Sequence, residues 1–154
     1  MEVYQAPAVA MIKGGNGYPG IRGSAMFRQR ENGVLVTVSI SGLPQGSGSC
    51  SDKIFAMHIH GGSACSGDTE DNFKNSGVHY NPDNCRHPYH AGDLPPLFGC
   101  AGKAYLSVLT DRFELNNIIG KTLVIHASYD DFTTQPSGNS GTKIACGVIL
   151  STNI

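Results

Sequence analysis

At 154 residues the chain fits one domain, 1–154, with a single apolar core. Eleven Lys and Arg against twelve Asp and Glu leave a net charge of −1, which excludes the clustered basic surface of a nucleic-acid binder. Twenty glycines, eight prolines and no tryptophan in a 40% hydrophobic composition point to short strands between turns, and no apolar run approaches the ~20 residues of a membrane span.

Met1-Glu2-Val3-Tyr4-Gln5-Ala6-Pro7 carries an early acidic residue and no long apolar stretch, so it does not read as a secretory signal. The expectation is a cytoplasmic chain as written, or an extracytoplasmic one if a leader has been trimmed. Five cysteines are many for a reducing compartment. Ala8 to Ile12 reads as the first strand. Gly14 to Gly20 is a turn or bulge rich in residues that tolerate unusual φ. Ile21 to Arg30 is the second strand, and Asn32-Gly33 predicts a type I′ hairpin turn into Val34 to Ile40, whose β-branched residues favour a strand. Gln45 to Lys53 is a Gly/Ser linker.

Ile54 to His60 is the next strand, stopped by Gly61-Gly62. The stretch from there to Asp93 is polar, irregular and over 30 residues long, a length that compact domains reserve for functional loops. Leu94 to Phe98, Ala104 to Leu109 and Thr122 to Ala127 resume as strands, with Asn116 to Gly120 as a loop or single turn. A second polar loop, Ser128 to Thr142, precedes a closing strand, Lys143 to Leu150. The fold class is all-β: eight strands in a Greek-key barrel or sandwich with two long functional loops.

The six histidines form one pattern. In a strand, residues i and i+2 share a face, so His58 and His60 project together while Ile59 faces the core. His126 ends the apolar run Leu123-Val124-Ile125. His79 lies in the long loop, and His87, His90 and Asp93 follow as His-x-x-His-x-x-Asp. Three imidazoles and a carboxylate suit a closed tetrahedral zinc site, and an all-imidazole set suits copper cycling between oxidation states. Six histidines cannot supply four ligands to one ion and three to another unless one imidazole serves both. His79, between the two groups, is the natural bridge.

Met57-His58-Ile59-His60-Gly61, Gly77-Val78-His79-Tyr80-Asn81-Pro82, His90-Ala91-Gly92-Asp93-Leu94, Val124-Ile125-His126, and Gly138 to Gly141 running into Ala145 to Ile149 resemble, in order and spacing, the copper–zinc superoxide dismutase family. The resemblance covers nearly the whole chain. It implies an eight-stranded Greek-key barrel, copper held by His58, His60, His79 and His126, and zinc held by His79, His87, His90 and Asp93. It places Asp130 as the aspartate joining the two sites and leaves the adjacent Asp131 as a solvated loop residue. It implies dismutation of superoxide to oxygen and hydrogen peroxide, with His79 taking up a proton as it parts from copper, and it leaves a homodimer open. Lys143 stands where the family keeps an arginine beside copper. Lysine retains the charge without the planar fork, so the expectation is activity that is reduced or differently sensitive to salt. The second loop is also short and lacks further charged guidance residues.

The resemblance pairs Cys65 with Cys146, closing a loop of about 80 residues and restricting the unfolded chain by roughly 4–5 kcal/mol in the entropic model. Cys50, Cys85 and Cys100 lie outside the pattern. Cys50 with Cys100, Cys85 with Cys100, three free thiols, and Cys85 as a competing metal ligand are the readings left open. The contrasting function is a dismutase-like copper or zinc carrier without turnover.

Overall fold

The structure, a computed structural model, describes residues 5–51 and 53–152. The first four residues of the N-terminal segment, on which the signal reading draws, lie outside the described residues. Eight strands follow in order: β1 (Ala8–Gly14), β2 (Arg22–Arg30), β3 (Gly33–Ser41), β4 (Ile54–His60), β5 (Asp93–Phe98), β6 (Ala104–Thr110), β7 (Thr122–His126) and β8 (Lys143–Ser151). They match the eight expected strands, with ends moved by one or two residues. A single helical turn, α1 (Leu115–Ile118), occupies the segment read as a loop or turn. No helix among the described residues is long and apolar enough to cross a membrane.

All pairings are antiparallel, in the order β5-β4-β7-β8-β1-β2-β3-β6. The terminal strands β5 and β6 are joined in sequence and come together in space, nearly closing a barrel. Alternation along β1 and β3 sends Ala8, Ala10, Ile12, Val34, Val36, Val38 and Ile40 inward. Phe27, Phe55, Leu97, Ile125 and Ile144 fill the centre, where a fully buried large apolar side chain contributes roughly 1.5–3 kcal/mol.

The β2–β3 hairpin is present, but the type I′ turn is not. Arg30 pairs with Gly33, so Glu31 and Asn32 form the two-residue loop, and only Gly33 has positive φ, at 142°. A type I′ turn requires positive φ at both central residues. Gly33 serves a different need: a Cβ there would collide with the backbone of Thr110 at the end of β6.

Candidate metal centre

The strand β4 is buried on both faces from Phe55 to His60. Its register against β7 aligns His58 with Val124 and His60 with Thr122. At the end of β7 a register shift between Ile125 and His126 pairs His126 with Lys143, the local re-aiming that a β-bulge produces. The long loop returns along β4: Tyr80 N donates to Ile59 O at 2.8 Å, Gly92 N to Tyr80 O at 2.9 Å, and Ile59 N to Gly92 O at 2.8 Å. His79 thereby forms an isolated bridge with His60, and its ring lies 3.9 Å from that of His58, centroid to centroid.

For His58, His60 and His126, hydrogen bonding fixes which ring nitrogen is free. Carbonyl and carboxylate oxygens only accept, so the nitrogen facing one carries the proton and the other keeps its lone pair. His60 Nδ1 donates to Gly77 O at 2.8 Å, and His126 Nδ1 donates to Gly141 O at 3.3 Å. Their Nε2 atoms then face each other at 3.3 Å. His58 Nε2 and His87 Nε2 donate to the two oxygens of Asp130, each at 2.8 Å. Among the described residues, the buried side-chain atoms without a hydrogen-bond partner are His58 Nδ1, His79 Nε2 and His87 Nδ1, the last lying beside Asp93 Oδ2. Orphaned buried lone pairs are costly unless a group other than the protein's own receives them, and here they aim into two shared centres.

One centre is formed by His58, His60, His79 and His126, the other by His79, His87, His90 and Asp93, and all eight positions are buried. Within each set the ligand atoms lie within 4.8 Å of one another. In the second set, Asp93 Oδ1 is 2.9 Å from His79 Nδ1, and Asp93 Oδ2 is 3.0 Å from His87 Nδ1 and 3.3 Å from His90 Nδ1. His79 and His90 bring their Nδ1 atoms to 3.3 Å. Ligands at ~2.0–2.1 Å from a tetrahedral zinc stand about 3.3–3.4 Å apart, so this donor set already approximates a zinc tetrahedron. The other set is all imidazole, with three Nε2 atoms and His58 Nδ1 free, a chemistry that suits copper. His79 alone offers one nitrogen to each set.

Protonation states follow from the surroundings. Burial, with His126 opposite, pushes His60 down to about 2. Burial, with His58 nearby, pushes His126 down to about 3. Burial also lowers His58 and His90. Burial alone would raise Asp93 and Asp130, but their histidine partners outweigh it: His79 foremost for Asp93, and hydrogen bonds from His58, His87 and the Phe132 amide for Asp130, hold both below the usual carboxylate range. Neutral imidazoles and ionised carboxylates are the forms that bind metal.

A third close set, His58, His87 and Asp130, is a link between the centres, since both ring N–H groups are already spent on its carboxylate. Such outer partners fix ring orientation. Asp131 is half-buried and accepts from the Thr133 and Thr134 amides and hydroxyls, ordering the loop. It takes no part in either donor set.

Four further residues support the site through contacts that no local sequence pattern shows. Gln135 forms an amide pair with the His87 backbone, accepting from His87 N at 2.8 Å and donating to His87 O at 2.7 Å. Arg112 Nη1 donates to the carbonyls of Pro88 at 2.7 Å and of His90 and Asp93 at 3.3 Å. These contacts brace the short His87–His90 spacing from outside. Gly138, at φ 72°, packs so closely on Asp130 Oδ1 and His87 Nε2 that a Cβ would displace them. Asp71 pairs with Lys143 at 3.0 Å. Lys143 lines a cavity of about 450 Å³ together with His60, Val78, His79, His126 and Ser137.

Cys65 and Cys146 are bonded, with Cα atoms 5.6 Å apart across 81 residues of sequence. With Phe73 and Val124 they form a small apolar cluster that pins the long loop to β7 and β8. Cys50 and Cys100 do not form the second disulfide: both are exposed and unbonded. Cys50 sits in the irregular linker with Sγ 3.9 Å from Ser49 Oγ, whereas Cys100 is fixed in a turn by paired backbone bonds to Lys103. Cys85 is likewise exposed and belongs to neither donor set.

Two buried donor sets sharing one imidazole on an antiparallel barrel have the make-up of a dinuclear metal centre. Residues 21–149 match the family described as copper/zinc superoxide dismutase. The chain is 30% identical to the extracellular copper–zinc superoxide dismutase of Brugia pahangi, over 94% of this chain and 75% of that protein. It is 33% identical to a copper–zinc superoxide dismutase of Aquifex aeolicus, over 82% of this chain and 78% of that one. The copper/zinc superoxide dismutase structure from Brucella abortus superposes with a TM-score of 0.76, covering 92% of this chain and 98% of that one at 24% identity, a likeness of fold. The chain belongs to the copper/zinc superoxide dismutase family.

Proposed function

We propose that the protein is a superoxide dismutase whose copper is held by His58, His60, His79 and His126 and whose zinc is held by His79, His87, His90 and Asp93. The observation that carries the assignment is the orphaned nitrogen set: His58 Nδ1 and His79 Nε2 on one side, His87 Nδ1 on the other. Copper, when bound, supplies the one-electron couple that oxidises one superoxide to oxygen and reduces the next, with two protons, to hydrogen peroxide.

The chain's own residues do the rest. His79 keeps Nδ1 among His87, His90 and Asp93, so a change at Nε2 leaves its ring anchored on the zinc side. His79 lines the cavity, and its Nε2, buried without a protein partner, is the atom that would take up a proton between the two half-reactions and return it to the reduced product. Asp130 holds His58 and His87 through one carboxylate and so couples the geometries of the two centres. Gly77 and Gly141 carbonyls set the tautomers of His60 and His126. Lys143 places a cation on the wall of the cavity through which the anion must approach; fixed positive charge in such a cleft raises encounter rates by ~10–10³-fold.

The Cys65–Cys146 disulfide favours an oxidising compartment over the cytoplasm. Elemental analysis of the purified chain tests the site assignment. About one copper and one zinc per chain are expected, and His79→Ala lowers the retention of both, whereas loss of a single metal with the other unaffected would contradict the shared ligand.

A further inference from the structure

Lys143 is committed to the long loop to an unusual degree. An ammonium group has three N–H donors, and all three have partners: Asp71 Oδ2 at 3.0 Å, Phe73 O at 3.2 Å and Gly77 O at 3.4 Å. Its side chain is only 17% exposed, so the head has little freedom to swing into the cavity. Apart from its histidines, the other described residues around that cavity, Gly77, Val78, Asn81, Pro136, Ser137 and Gly141, are uncharged. Among the described residues, Lys143 is the only lysine or arginine lining the space in front of His60, His79 and His126. The carboxylate of Asp71 lies directly against it.

We propose that Asp71 sets how strongly this cavity attracts small monovalent anions, by holding the Lys143 ammonium on the loop side of the wall and offsetting its charge. The inference rests on the copper site proposed above. It also accounts for lysine at this position: an arginine, with five donors, could satisfy loop carbonyls and still present a free N–H edge to an anion, whereas the lysine has none to spare. Asp71 is a positioning residue, acting through Lys143.

Asp71→Asn is the discriminating substitution. The amide oxygen can still accept from Phe73 N, which Asp71 Oδ1 does at 2.9 Å, so the local turn is retained while the charge is lost. In the copper- and zinc-loaded protein, optical titration with azide at low ionic strength is expected to show about 2–5-fold tighter binding in Asp71→Asn, the size that a partly exposed charge pair allows. The gain shrinks as salt is added, and it is absent when the same substitution is made in a Lys143→Met background. Structural damage would weaken azide binding and so cannot mimic this result. Unchanged or weaker azide affinity in Asp71→Asn, or an equal gain in the Lys143→Met background, overturns the inference and leaves the copper site standing. Failure of the native protein to hold copper in an azide-sensitive form overturns both.

Discussion

The Nε2 atoms of His60 and His126 face each other at 3.3 Å, each ring held from behind by a backbone carbonyl. In the absence of metal, protons added here would place two cations side by side in a buried pocket. Burial first, then His126 beside His60 and His58 beside His126, make the folded protein resist protonating them, with His60 at about 2 and His126 at about 3 against an ordinary value of 6.5.

That resistance makes the metal-free protein acid-sensitive. Between about pH 6.5 and 3 the unfolded chain binds protons at these histidines that the folded chain refuses, so stability is fully present above 6.5 and falls as pH drops. Each such histidine contributes a slope of up to about 1.4 kcal/mol per pH unit. Urea midpoints of the apo-protein measured from pH 8 to pH 4 are expected to decline through this window. A flat profile would show that the two rings are protonated freely in the fold.

Asp130 and Gly138 form a second testable pair. Removing the shared carboxylate charge in Asp130→Asn is expected to lower metal affinity by about 10–100-fold, with both copper and zinc affected because His58 and His87 lose the same partner. Gly138→Ala, which drives a methyl group into Asp130 and adopts an unfavourable positive φ, should reproduce that loss. Chelator competition for each metal reads the effect.

Arg112 and Gln135 explain how only Pro88 and Tyr89 suffice between two zinc ligands. Arg112→Ala removes donors to three carbonyls of the ligand loop and should cost about 1–2 kcal/mol of stability. Zinc affinity falls more than copper affinity, because the lost contacts lie on the His87–Asp93 side. Equal losses for the two metals in a competition assay would argue against this brace.

The Cys65–Cys146 bond ties the long loop to β8 beside Lys143. Replacing both cysteines with serine is expected to lower stability by about 2–5 kcal/mol. It also loosens the Phe73 and Gly77 carbonyls that hold Lys143, so azide affinity should change even where the barrel remains folded by circular dichroism.

The strands and the clustered histidines were legible in the sequence because their signals are local, and the grouping of His79 and His126 with them came from the family resemblance. Alternation marks strands, and His-x-His or His-x-x-His-x-x-Asp marks ligands whose side-chain types define their chemistry. The supports were not legible. Arg112 and Gln135 bind backbone carbonyls and amides, and any residue can offer those, so nothing near His87 in sequence points to them. Gly138 falls in a segment that resembles the family, but its close approach to Asp130 is visible only in the fold. Asp71 lies 72 residues from Lys143, and only the path of the long loop brings them together. The Asn32-Gly33 turn misled for a related reason: the glycine answers to its neighbour Thr110 in β6 and not to the hairpin itself.

The central claim is that these residues hold a copper that turns over superoxide. Pulse radiolysis of the protein loaded with copper and zinc, against the same protein loaded with zinc alone, tests it most directly. Superoxide decay accelerated catalytically by the copper-loaded form and unaffected by the zinc-only form is the predicted result. Stoichiometric copper bound with no acceleration of decay would contradict it and leave a metal carrier built on the dismutase fold.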